Sequence, residues 1–295
     1  MQKRRRRQLV SVTVALVACL AGSCSWSDGP LEGRPFEVHE PPDYDGSKPA
    51  PLLVVLHGYG LQGNVQNLYY GLDRVTDPRG MLYVAPDGTI NDEGKPFWNA
   101  TPACCAPPGS DVDDSAYLAA VIESVQRDHN VDDRRIFVLG HSNGGFMAYR
   151  LACDHADLVA GVVSFEGAAT DDPSACDPSE PVTAVEIHGT GDTVIRYDGG
   201  RNSGNDPNAP AYPSAEETVR MWARLNECSP TPTTPDPATR DLVRDEAPAV
   251  VTAFGSCAKG TAVQLWTQPE GVHVPIPSDT FTEQVVDFLL AHPKP

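Results

Sequence analysis

Six short apolar runs that do not alternate set the strongest limit on what this chain folds into. They are Leu52–Leu56 (LLVVL), Met81–Ala85 (MLYVA), Ile136–Leu139 (IFVL), Gly161–Phe165 (GVVSF), Val182–Ile187 (VTAVEI) and Ala262–Trp266 (AVQLW). A strand with one wet face alternates apolar and polar residues, whereas a strand covered on both faces reads as a continuous apolar run. Helical patterns lie between several of these runs. Asp114–His129 puts Tyr117, Leu118, Val121, Ile122 and Val125 on one face. Ser214 precedes Glu217 by three residues, and Thr280 precedes Glu283 by three, the spacing of a capping box. Strands alternating with amphipathic helices predict an α/β fold with a mostly parallel, doubly wound sheet and helices on both faces. Asn202–Pro213 and Ser229–Pro248, rich in Pro, Asn and Thr, are predicted surface loops.

The first residues belong to something else. MQKRRRRQ is followed by the apolar stretch Leu9–Ala21, too short to span a bilayer. A basic start and a short apolar run predict a secretory signal over residues 1–23, then a linker over 24–33 and a single domain over 34–295. Ala21-Gly22-Ser23 offers a small-residue cleavage site, while Cys19 and Cys24 are each placed to carry a lipid anchor. Soluble and lipid-anchored export both remain open. Beyond residue 23 the chain has 17 basic residues against 40 acidic ones, a net charge of −23. Such a surface repels phosphate backbones and anionic lipid, which argues against a nucleic-acid partner. Six cysteines remain after Cys19 and Cys24: Cys104, Cys105, Cys153, Cys176, Cys228 and Cys257. An even number in an exported chain predicts disulfides. Zinc would need paired C-x-x-C or H-x-x-x-H ligands, which the chain lacks, so no metal is expected.

The stretch RIFVLGHSNGGFMAYRLAC, Arg135–Cys153, packs Gly140, Gly144 and Gly145 around Ser142. GHSNG matches G-x-S-x-G, the turn that holds a nucleophilic serine in strained geometry between a strand and a helix. Residues two before and two after the serine approach too closely for side chains. An activated serine needs a base, an acid that orients it, and donors for a developing oxyanion. Asp192 lies in the loop after VEIHG, where sites form at the C-terminal ends of strands in such sheets. Asp198 is the reserve candidate. His273, in QPEGVHVPIP after the last apolar run, falls where the base is expected. His57 and His188 each precede a glycine at a strand end and read as structural. His57-Gly58-Tyr59-Gly60 follows an early strand, so the Tyr59 and Asn143 backbone N–H groups are the expected oxyanion donors.

LHGYG, APDG, FWNA with ACC, VDDSAYLAAVI, the elbow segment and HGTGD together resemble the secreted polyhydroxybutyrate-depolymerase/feruloyl-esterase group of α/β-hydrolases, from about Pro51 to the end. The resemblance implies that Ser142 is nucleophile, Asp192 acid and His273 base, with no cofactor. It supports a Cys228–Cys257 disulfide and a bond from Cys104 or Cys105 to Cys153, which leaves Cys176 for the other of the adjacent pair. Relatives surround the histidine with glycines and a following tryptophan, whereas this chain has EGVHVPIP, which puts a tryptophan-based substrate platform in doubt. The expectation is a monomeric, exported serine esterase acting on short, soluble esters, or on hydroxycinnamoyl or acetyl esters of polysaccharide. The alternatives are a polyester depolymerase, a serine peptidase with the same motifs, and a non-catalytic cell-envelope binding protein on the same scaffold. No separate surface-binding module is visible beside the domain, so soluble esters are expected to be preferred over crystalline polyester.

Overall fold

The structure, a computed structural model, describes residues 29–295 apart from 203–205, 207 and 236. The expected leader, Cys19, Cys24 and the first part of the linker lie outside the described residues. Leu31, within the segment read as linker, packs against the core.

Nine strands form one sheet: β1 Val38–His39, β2 Ala50–Leu56, β3 Leu82–Val84, β4 Val131–His141, β5 Gly161–Phe165, β6 Thr183–Gly189, β7 Thr239–Arg240, β8 Ala249–Phe254 and β9 Val263–Gln268. Their order is β1-β3-β2-β4-β5-β6-β9-β8-β7. The central pairs from β3 to β9 are parallel; β1 pairs antiparallel with β3 at one edge, and at the other β8 pairs antiparallel with both β9 and β7. The parallel strands finish level, with Leu56 opposite Gly140, His141 opposite Phe165, Phe165 opposite Ile187, and Ile187 opposite Trp266. The loops after them therefore meet at one edge.

The helices are α1 Gly63–Tyr70, α2 Leu72–Thr76, α3 Asp114–Asp128, α4 Asn143–Asp154, α5 Ala215–Leu225 and α6 Phe281–Leu290. Side chains of β2 alternate between two cores. Leu52, Val54 and Leu56 pack with Val121 of α3, Phe146 of α4 and Trp222 of α5. Leu53 and Val55 pack on the other face with Val75 of α2 and Val285 of α6. This two-sided burial is why the strands read as continuous apolar runs; each fully buried Leu or Phe contributes roughly 1.5–3 kcal/mol. The fold is thus the expected α/β architecture in a single domain.

Local features differ from expectation in two places, at α6 and β8, and agree with it at α5. Ser214 and Glu217 form the capping box at α5. Thr280 makes no side-chain cap bond at α6: its Oγ1 donates to the Asp241 carbonyl and accepts from Gln284 Nε2, while Glu283 pairs with Arg79, which also holds Asp287. The strand β8, next to the edge, was not apparent in the sequence. It alternates buried Ala249 and Val251 with exposed Val250, a half-wet pattern unlike that of the central strands.

The disulfides are Cys104–Cys105, Cys153–Cys176 and Cys228–Cys257. The expected bond from Cys104 or Cys105 to Cys153 is not formed. Asn143 Nδ2 lies 3.7 Å from Cys104 Sγ at the start of α4. Cys153 is ten residues further on, about 15 Å along the helix axis, well beyond disulfide reach. The end of α4 instead meets Cys176, which follows the short turn Pro173–Ala175. Among the described residues no helix is long and apolar enough to cross a membrane.

Candidate active site

Ser142 sits between β4 and α4 at φ 54° and ψ −118°, a backbone conformation that side-chain-bearing residues rarely adopt. The neighbours enforce it. A Cβ on Gly140 would collide with the Gly144 carbonyl, and one on Gly144 would collide with the Leu56 carbonyl. The Ser142 N–H donates to the Phe165 carbonyl at 2.7 Å, tying the turn to β5. Oγ is thereby lifted over the strand ends.

His273 comes from the loop between β9 and α6. Its Nε2 lies 2.9 Å from Ser142 Oγ, and its Nδ1 lies 2.6 Å from Asp192 Oδ2. Asp192 is 5% exposed. Its Oδ1 accepts the N–H groups of Val194 at 2.7 Å and Ile195 at 3.0 Å, so the carboxylate is fixed by its own loop. Burial pushes the Asp192 carboxyl up, but His188 and His273 beside it outweigh that and hold it well below the usual carboxylate range. Asp198 is exposed and makes no bond to His273. The arrangement is a hydroxyl, an imidazole and an ionised carboxylate in series, able to pass the hydroxyl proton to the ring.

Tyr59 and Asn143 flank the serine. Gly58 packs so close that an added Cβ would lie 3.5 Å from Ser142 Cβ. Neither the Tyr59 nor the Asn143 N–H donates to an acceptor among the described residues. The loop carrying Tyr59 is pinned by His57, in the structural role read from the sequence, and by Trp98. His57 Nδ1–H donates to the Gly58 carbonyl at 2.8 Å, and Nε2 accepts the Gly88 N–H at 2.8 Å. The fully buried Trp98 donates from Nε1 to the His57 carbonyl at 3.0 Å. The Asn143 side chain clasps the Trp98 backbone in both directions, at 2.7 and 2.9 Å.

A cavity of about 600 Å³ opens over Ser142, walled by Ala103, Cys105, Pro107, Val194, Ile195 and Pro210, with Tyr59 and Asn91 at its rim. Behind the triad lies a buried group, Glu166, His188 and Asp192, the one set among the described residues with enough oxygen and nitrogen atoms close together to hold an ion. Those atoms already have partners. His188 Nε2 faces the Ile195 carbonyl, both Glu166 oxygens accept the Gly189 N–H, and Asp192 takes His273. His188 was read from the sequence as a structural histidine at a strand end, whereas Glu166, closing the apolar run SFEG, carried no signal beyond a strand end.

Residues 107–205 match the phospholipase/carboxylesterase family. Feruloyl esterase C of Emericella nidulans is 32% identical over 216 residues, covering 68% of this chain and 73% of that protein. The chain belongs to the feruloyl esterase-like family of α/β-hydrolases. Feruloyl esterase B of Piromyces equi is 26% identical over 245 residues, 81% of this chain and 42% of that one. The chain spans only 42% to 61% of the length of several curated relatives it matches. An acetyl xylan esterase from Aspergillus awamori shares the fold with a TM-score of 0.60 at 14% identity, over 87% of this chain and 94% of that one.

Proposed function

We propose that the feruloyl esterase-like domain is an exported serine carboxylic-ester hydrolase. The reading rests above all on the hydrogen-bonded series Ser142–His273–Asp192 opening into a largely apolar cavity. Ser142 Oγ attacks the ester carbonyl while His273 Nε2 takes its proton. Asp192 accepts the Nδ1–H, fixes the ring's tautomer and stabilises the imidazolium. The tetrahedral oxyanion is received by the Tyr59 and Asn143 N–H groups, each such donor lowering the barrier by ~3 kcal/mol. The imidazolium returns its proton to the departing alcohol, and water activated by the same ring hydrolyses the acyl-enzyme.

The preferred substrates are short, soluble esters or hydroxycinnamoyl and acetyl esters of polysaccharide, the latter on the strength of relatives named as feruloyl esterases. Export is supported by three disulfides, which persist in oxidising compartments. A fluorophosphonate probe tests the central reading. It should label the intact protein and not Ser142→Ala, and label should track hydrolysis of hydroxycinnamoyl and nitrophenyl esters. An unlabelled, inactive wild-type protein would sink it in favour of a binding protein on a hydrolase scaffold. Peptide anilides cleaved faster than esters would indicate a peptidase.

One observation favours a second reading, a polyester depolymerase. Leu68 of α1 is 81% exposed, and Val274 and Ile276 beside His273 are 61% and 64% exposed. The two segments are tied by Tyr69 Oη donating to the Pro275 carbonyl at 2.6 Å. An apolar rim of this kind suits an apolar solid. Rapid clearing of polyhydroxybutyrate granules with little activity on short esters would favour it.

A further inference from the structure

Behind the proposed triad lies a histidine that the mechanism does not use. His188, at the end of β6, is 1% exposed. Its Nε2 lies 2.8 Å from the Ile195 carbonyl, and its Nδ1 lies 3.0 Å from Glu186 Oε1. A carbonyl oxygen only accepts, so Nε2 carries a hydrogen. Glu166 Oε2 at 3.4 Å and Asp192 Oδ2 at 3.6 Å also face Nε2. The remaining titratable neighbour is Tyr197, edge-on at 5.8 Å between ring centroids. Thus oxygen atoms face both ring nitrogens, and three buried carboxyl groups surround the ring.

Three ionised carboxylates around a neutral ring would leave an uncompensated negative charge of three in a space closed to water. Like charges that close in low dielectric force protons onto the cluster. The ring nitrogens and one carboxyl are where those protons fit. We propose that His188 is a buried imidazolium and a positioning residue: it sits behind Asp192, keeps that carboxylate ionised and aimed at His273, and shares the pocket with a protonated Glu166. The inference rests on the Ser142–His273–Asp192 reading.

The electrostatics agree. Burial by itself lowers an imidazole, but Glu166, Asp192 and Glu186 outweigh it and raise His188 well above its ordinary value. Burial, then the negative charge of Asp192, raises the Glu166 carboxyl well above the carboxylate range, against the opposing pull of His188 and the Gly189 N–H. Glu166 is held at a left-handed φ of 55° immediately after β5, which presents its carboxyl to Gly189 and to the back of Asp192. Glu186 is fully buried, and burial raises its carboxyl against the pull of His188.

Two measurements decide the proposal. In ¹⁵N-histidine-labelled Ser142→Ala protein, folded and inert, the His188 ring should show two protonated nitrogens at pH 7.5 and still at pH 8.5. One bare nitrogen at pH 7.5 overturns it. The second measurement is the pH profile of kcat/KM for His188→Gln, which keeps hydrogen-bonding capacity but loses the charge. Without a cation behind it, Asp192 holds a protonated His273 more firmly, so the acid limb should move up by about half a pH unit or more. A lower kcat with an unmoved acid limb means a merely structural residue and overturns the proposal. If His188→Gln does not fold, Glu166→Gln takes its place. Glutamine mimics the protonated acid, so its melting temperature should stay within about 2 °C of wild type, and a fall of ten degrees or more overturns the assignment. Wild-type protein without esterase activity refutes the proposed function, while the nitrogen shifts still decide the charge on His188.

Discussion

His141, the residue before Ser142, donates from Nε2 to the backbone carbonyl of His273 at 3.0 Å. One dipeptide thus carries the candidate nucleophile and also holds the loop of its candidate base. Burial keeps the His141 imidazole neutral by lowering its pKa to about 4, against the raising effect of that same bond. Tyr69 stacks on the ring at 5.6 Å and binds the next turn of the loop at Pro275. His141→Leu should therefore lower kcat about 10- to 100-fold, because a small misplacement of a base is costly, and should leave KM within about threefold. Steady-state kinetics on a nitrophenyl ester check it. A changed KM with unchanged kcat would show that the loop carries substrate and not the base.

Ser142→Ala and His273→Ala should each abolish nearly all ester hydrolysis without unfolding the protein. Asp192→Asn should reduce kcat by about 10⁴, because the amide leaves the imidazole in the wrong tautomer. Asp198→Asn should be near wild type, since Asp198 is exposed and makes no hydrogen bond to the histidine. Near-normal turnover in Asp192→Asn with an inactive Asp198→Asn would move the acid to Asp198.

Two-sided burial wrote the central strands and the α3 face into the sequence as apolar runs and a helical stripe, so the sheet and its helices were legible. The serine turn was legible for a steric reason, since only glycine fits at 140 and 144. β8 was not, because a half-exposed strand near the edge lacks the continuous apolar signal. α1 was not either, because it is built mostly from Asn, Gln and Tyr and its first turn is held by Asp87 accepting the Gly63 N–H. The buried Glu166–His188 layer was invisible for a different reason: pairing of charges depends on loops from separate strands meeting, and nothing local encodes that.

Gly144→Ala should fail to yield folded protein or lose ~3 kcal/mol or more, the upper end of what overpacking costs, because the obstacle is backbone. The Leu56 and His57 carbonyls that a Cβ would meet belong to β2 and the turn after it and cannot swing aside. Circular dichroism and urea unfolding measure this. A stable Gly144→Ala protein would mean that the turn is looser than its geometry implies.

Non-reducing peptide mapping should recover Cys153 joined to Cys176, Cys228 joined to Cys257, and Cys104 with Cys105 in one peptide lacking two hydrogens. Replacing both Cys228 and Cys257 by Ala should cost on the order of 3 kcal/mol, because that bond closes a loop of 29 residues. A peptide joining Cys105 to Cys153 would restore the sequence-based pairing and contradict the position of Cys104 beside Asn143.

Stability should fall as pH rises from about 7 to 9. His188 and Glu166 both bind protons more tightly folded than unfolded, since their folded pKa values are raised. A raised group stabilises fully below its unfolded pKa, and that contribution is lost as pH climbs toward the folded one. For Glu166 the loss begins near pH 4.3, and for His188 near 6.5. Two buried histidines act in the opposite sense. His57 and His141 are lowered by burial, so their contribution grows with pH, but only up to about 6.5, where the unfolded histidine loses its proton. Asp192, held low, has its effect below about pH 4. The groups left to act in the interval from 7 to 9 are His188, Glu166 and Glu186, whose carboxyl burial also raises. Each extra proton held by the folded state steepens the decline by about 1.4 kcal/mol per pH unit. Urea unfolding at half-unit steps should show a clear negative slope in wild type. In the His188→Gln, Glu166→Gln double variant the slope should flatten, because neither replacement titrates. A wild-type curve that is level or rising between pH 7 and 9 would mean that the buried layer carries no extra protons.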